Sequence, residues 1–180
     1  MARPRAKRGS VMASTRTEFP VQHKFAPMRE RWRLSDWRLV SAAALAQVVT
    51  AVALRLVSLD TLIKAAGRGR PIVGWLLRGP ESRVVWAIMA TSRRLGSFST
   101  CLVRALVAEL ALSSPQRPLQ VRMGVRWSGN VLDGHAWLVD GERVLLGGPV
   151  SDEFVVTAAL GRAGVGRPSD FYDHGRAQHQ

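Results

Sequence analysis

Between Leu112 and Val121 the hydrophobic period of this chain changes, and that change restricts the fold more than any other feature. After it, Val121, Met123, Val125 and Trp127 are apolar, with Arg122 and Arg126 between them. Alternation of this kind is the mark of a half-buried strand. Before it, the spacing is helical. Leu39 to Leu54 is an uncharged run bracketed by Arg38 and Arg55, and Val84, Val85, Ile88 and Met89 fall on one side of a helix over Glu81 to Leu95. Helices first and strands afterwards make an α+β chain. At 180 residues it holds one core and little beyond it.

Local signals punctuate that order. Ser35 followed by Asp36 reads as a helix start, with a short polar cap and an acid in the first turn. The uncharged run is shorter than the roughly 20 residues a spanning helix needs. A buried core helix is the first reading, and a helix lying on a membrane surface, beside Trp37 and the arginines, is the second. Gly67 to Pro71 reads as a loop and Gly79-Pro80 as a break. Gly96-Ser97 ends the helix from Glu81. Ser99 or Thr100 caps a new one that opens at Cys101 and stops at Ser113-Ser114-Pro115. A strand from Val121, a turn at Ser128 to Asn130, a strand over Val131 to Val139, a hairpin at Asp140-Gly141 and a third strand to Leu146 follow. Phe154 to Thr157 is a further short strand, and the end from Gly161 reads as loose.

The charge is uneven. Of a net +13, residues 1–34 contribute +7, from nine Lys/Arg against two Glu. A solvated basic tail is expected there. No zinc spacing or aromatic-interleaved basic motif accompanies it, so nucleic acid is not the expected partner. His174 and His179 lack a set of companion ligands, and neither metal nor cofactor is expected. A secretory signal needs an apolar stretch soon after the first basic residues, whereas here it begins at Leu39. With one cysteine there is no internal disulfide, so a reducing cytoplasm is the expected compartment.

Cys101 and His135 carry the candidate chemistry. Thiolate is the reactive form of cysteine, and a helix N-terminus favours it through unpaired N–H groups and the helix dipole. The same N–H groups can hold an oxyanion. His135 lies in mid-strand, 34 residues on, where an imidazole is held rigidly enough to serve as a base. Each residue alone is more often structural. Together, a helix-start cysteine and a later strand histidine form the arrangement of papain-like and transglutaminase-like enzymes.

The residues themselves sharpen this. The stretch Ser99-Thr100-Cys101-Leu102-Val103-Arg104-Ala105-Leu106 resembles the cysteine motif of the lasso-peptide leader peptidases. Gly134-His135-Ala136-Trp137-Leu138-Val139-Asp140-Gly141 resembles their His-Ala-Trp strand and turn, with Met123-Gly124-Val125 fitting between the two. The resemblance covers roughly residues 30–150. It implies a transglutaminase-like fold, a helical part over 35–95 and a catalytic core over 96–160. It implies Cys101 as nucleophile, His135 as base and removal of the leader from a ribosomally made precursor peptide. The core peptide then passes to an ATP-dependent macrolactam cyclase. The family often places an aspartate about 12 residues after the histidine, where this chain has Gly147. Asp140 is in the hairpin turn. Asp152, a main-chain carbonyl and water all stay open as the group that orients His135. No leader-recognition domain fits in residues 1–95, so a separate recognition protein is implied.

Overall fold

The computed structural model describes residues 34–148, 150, 154–161 and 164–166. The basic tail expected over 1–34, except for Leu34, lies outside them, as do Asp152 and the histidines near the C-terminus.

Four helices precede the sheet: α1 (Leu34–Leu56), α2 (Leu59–Leu76), α3 (Glu81–Leu95) and α4 (Cys101–Leu112). Five antiparallel strands follow: β1 (Gln120–Ser128), β2 (Val131–Asp140), β3 (Arg143–Leu146), β4 (Val155–Gly161) and β5 (Gly164–Gly166). They form one sheet in the order β3-β2-β1-β4-β5. The expected α+β class, with helices first and a small antiparallel sheet, is what the chain adopts.

α4 is the hub. Its residues Ala105 to Glu109 are buried without interruption, which a helix allows only when it has neighbours all round. α1, α2 and α3 pack on it from one side, and β1 and β2 from the other. Val121, Leu138 and Leu160 of the sheet join Val103, Leu106 and Val107 of α4 and Val84 and Ile88 of α3 in a single core. Each fully buried aliphatic side chain of this kind contributes about 1.5–3 kcal/mol.

Three expectations need correction. Gly67 to Pro71 is not a loop but part of α2, with Pro71 inside the helix. Pro71 does remove one helical donor. Leu62, Val73 and Leu76 nevertheless pack the helix against the core on both sides of it. Packing outweighs local propensity here. Met89 is 41% exposed while Val84, Val85 and Ile88 are buried, so the apolar face of α3 is narrower than the spacing suggested. Gly161 closes β4, and Gly164–Gly166 form the edge strand β5, where a loose end was expected. α1 is buried along one face and exposed along another. Leu39, Ala42, Ala43 and Ala51 are core, whereas Leu45, Val49 and Leu56 are 58%, 58% and 77% exposed.

Candidate active site

The cysteine end of α4 is built from Gly96 onward. A 3-10 turn over Gly96–Phe98 leads out of α3, and Gly96 takes a positive φ of 51° that a side chain would resist. Of the two candidate caps, Thr100 performs the role: its hydroxyl accepts from the Val103 N–H at 3.3 Å. Ser99 is instead buried and donates its hydroxyl to Gln47 Oε1 in α1. The first i→i−4 bond of α4 is Arg104 N–H to the Thr100 carbonyl. The N–H groups of Cys101 and Leu102 therefore precede the helical bonding pattern, as groups that bind an oxyanion must. Cys101 is a free thiol and half-buried, open enough to meet a substrate carbonyl.

His135 lies on β2 opposite Gly124 of β1. Alternation along β2 puts it on the same face as Trp137 and opposite to Leu138, which joins the helical core. Its ring stacks with Trp137 at a centroid distance of 6.0 Å and an interplanar angle of 17°, and lies 5.6 Å from the Phe154 ring. Trp137 is 4% exposed. Its indole crosses β1 above Gly124, where a Cβ would stand 2.9 Å from Trp137 Cη2. Arg126 pairs with Asp133 and lies over Phe154, and Arg122 donates to the Gly141 carbonyl. Both arginines of β1 are therefore engaged.

His135 Nε2 is 2.6 Å from the carbonyl oxygen of Gly147. A carbonyl oxygen only accepts, so Nε2 carries the hydrogen, and the lone pair of the neutral ring is left on Nδ1. The group that meets the ring from position 147 is thus a main-chain carbonyl. A side chain is excluded there. Gly147 has a φ of 96°, and a Cβ would meet Trp137 Cβ at 2.8 Å and the Ala136 carbonyl at 2.9 Å. Asp140 is committed elsewhere: Arg117 binds its carboxylate from two nitrogens, at 2.8 Å and 2.6 Å. Among the described residues no hydrogen bond joins Cys101 to His135.

The sequence singled out Cys101, His135 and position 147 as candidates. It did not mark Gln47, which stood as one more uncharged residue in an apolar run, or Gly124, whose role depends on a ring from the neighbouring strand.

A family model described as the transglutaminase-like superfamily matches residues 27–159. That span contains α1 to α4, Cys101, His135 and Gly147. No curated protein and no solved structure matches the chain.

Proposed function

Because the chain belongs to the transglutaminase-like superfamily, we propose that it is a cysteine peptidase that removes the leader from a lasso-type precursor peptide. The observation that carries the reading is the pair of prepared groups. Cys101 opens a capped helix, and the His135 ring is held through Nε2 by the Gly147 carbonyl with Nδ1 left to accept a proton. Chain lengths give the start of α4 and His135 a similar height along the sheet, with the imidazole on the face away from the helical core. α4 rises about 18 Å over its length, and the short segment after it returns the chain into β1. Stepping along β1 by about 18 Å covers five or six residues, to Val125 and Arg126, whose β2 partners are Gly134 and Asp133, next to His135. At that height β3 has ended, since it pairs only with Leu138 to Asp140. The chain beyond β3 continues there as Gly147, whose carbonyl holds the imidazole.

In this mechanism His135 Nδ1 takes the Cys101 proton and Sγ attacks the scissile carbonyl. The oxyanion rests on the first N–H groups of α4. The imidazolium returns its proton to the leaving amine, and water then hydrolyses the thioester. The orienting group is neutral, so it fixes the ring without adding a charge to stabilise the imidazolium. A separate leader-recognition protein, a downstream ATP-dependent macrolactam cyclase and a cytoplasmic setting, with contact at the membrane surface, complete the proposal.

Cys101→Ala and Cys101→Ser are expected to abolish cleavage of the precursor while retaining the thermal stability of the native chain. Cleavage by either variant rules out a cysteine peptidase. An amide transferase or deamidase on the same fold would leave a different product, and mass spectrometry of the reacted peptide separates the three.

A further inference from the structure

Gln47 is completely buried in α1, 54 residues before the thiol, and every polar atom of its side chain is bonded. Its Nε2 donates to Thr91 Oγ1 at 2.6 Å, to the Ile88 carbonyl at 3.2 Å and to the Ala43 carbonyl at 3.3 Å. Its Oε1 accepts from the Ser99 hydroxyl. Thr91 Oγ1 in turn lies 3.0 Å from the carbonyls of Ala87 and Ile88, to which it donates. One amide therefore joins α1, α3 and the segment that leads into α4.

A buried amide in an apolar core is costly unless satisfied, and once satisfied it fixes one arrangement of the elements it joins. Ser99 is pinned twice: its N–H bonds to the Gly96 carbonyl at 3.0 Å, and its hydroxyl bonds to Gln47. The next residue caps α4 and the one after that is Cys101. Phe98, half-buried against the core with Arg55 over its ring, anchors the other side of the turn over Gly96–Phe98. We infer that Gln47 is a positioning residue for Cys101, acting through Ser99. It sets where the first turn of α4, with its thiol and N–H groups, stands against His135. The inference rests on the cysteine-peptidase reading for its effect on turnover, though not for its effect on the thiol.

A misplacement of about 1 Å in a reacting group costs on the order of 100-fold in rate. Gln47→Leu and Ser99→Ala are therefore expected to lower kcat for precursor cleavage by about 10- to 100-fold, with KM changed by less than about twofold. Both should change the rate and pH profile of Cys101 alkylation by iodoacetamide, a measurement that uses no precursor. Leu160→Ala, a cavity in β4, is the control matched for loss of thermal stability, with the native alkylation profile expected. Ser99→Ala retains the whole core and keeps the test open if Gln47→Leu does not fold. A lowered melting temperature with native alkylation and native kcat in the Ser99 variant overturns the proposal. If Cys101→Ala still cleaves precursor, the peptidase reading fails, and the alkylation result decides the positioning role by itself.

Discussion

At the scale of single residues, two glycines shape the imidazole's surroundings. Gly147 supplies its carbonyl to His135 from a backbone conformation, φ 96°, that an L side chain strains. Gly124 leaves room for the Trp137 ring that stacks on His135. Gly147→Ala brings a Cβ to 2.8 Å from Trp137 Cβ on backbone and side-chain atoms that cannot swing away. We expect it to cost about 1–3 kcal/mol of stability and to cut turnover about 100-fold by rotating the ring. Gly124→Ala should cost a similar 1–3 kcal/mol through overpacking, with a smaller effect on turnover, because it leaves the carbonyl contact in place. Denaturant melts and precursor cleavage separate the two; equal turnover in both variants would deny the Gly147 carbonyl an orienting role. Cys101 and His135 were legible because their chemistry and spacing are written in side chains. The orienting group was not, since a main-chain carbonyl belongs to every residue, and only the fold says which one meets an imidazole.

At the scale of elements, what was legible follows from periodicity and punctuation. α3 and the start of α4 fall where the capping and turn residues put them, and the β1–β2 register follows from a two-residue link at Gly129-Asn130. α2 was illegible across Gly67 to Pro71 because its stability there is not local. Part of the reason is an ion pair deep in the molecule. Arg70 Nη1 is 2.7 Å from Glu109 Oε1, with side chains 12% and 5% exposed. The pair ties the proline-containing stretch of α2 to the middle of α4, beside a small apolar cavity lined by Thr50, Leu62, Leu106, Val121 and Leu160. Neither residue signals this in the sequence, where Arg70 sits in a loop-like Gly-Arg run and Glu109 in an apolar helix. Glu109→Ala leaves the Arg70 charge buried without this carboxylate and is expected to destabilise the fold by about 3 kcal/mol. The Arg70→Met, Glu109→Leu double variant removes both charges and should recover most of that loss. Chemical denaturation of the singles and the double measures the coupling. A double variant as unstable as the sum of the singles would show that the pair does not act as a unit.

At the scale of the whole molecule, the surface bears on how a precursor is chosen. Leu45, Val49, Val52 and Leu56 recur at spacings of four, three and four along α1, which puts them on one face, and all are exposed. Trp37 is exposed a further two turns back. A stripe of this length is unusual on a monomer and is where partners bind. We propose that such a partner serves the chemistry. A thiol and an imidazole supply reactivity, but selecting one peptide in a cell requires binding energy from elsewhere. A recognition protein that holds the leader and docks on this chain would raise the local precursor concentration to roughly millimolar. Its effect should appear in KM and be large only below saturation. We therefore expect the protein alone to cleave its precursor slowly. Adding the recognition protein should lower the apparent KM by about 10-fold or more and leave the saturated rate within about twofold. Leu45→Glu with Val49→Glu lies on solvent-facing helix surface, so it should change stability by only about 0.5 kcal/mol and leave Cys101 alkylation native. The same variant should lose the KM response if this face is the docking site. The measurement is initial cleavage rate against precursor concentration for both proteins, with and without the partner. Fast, leader-selective cleavage by the native chain alone would show that it grips the leader itself, and a full KM response in the double variant would move the docking face off α1.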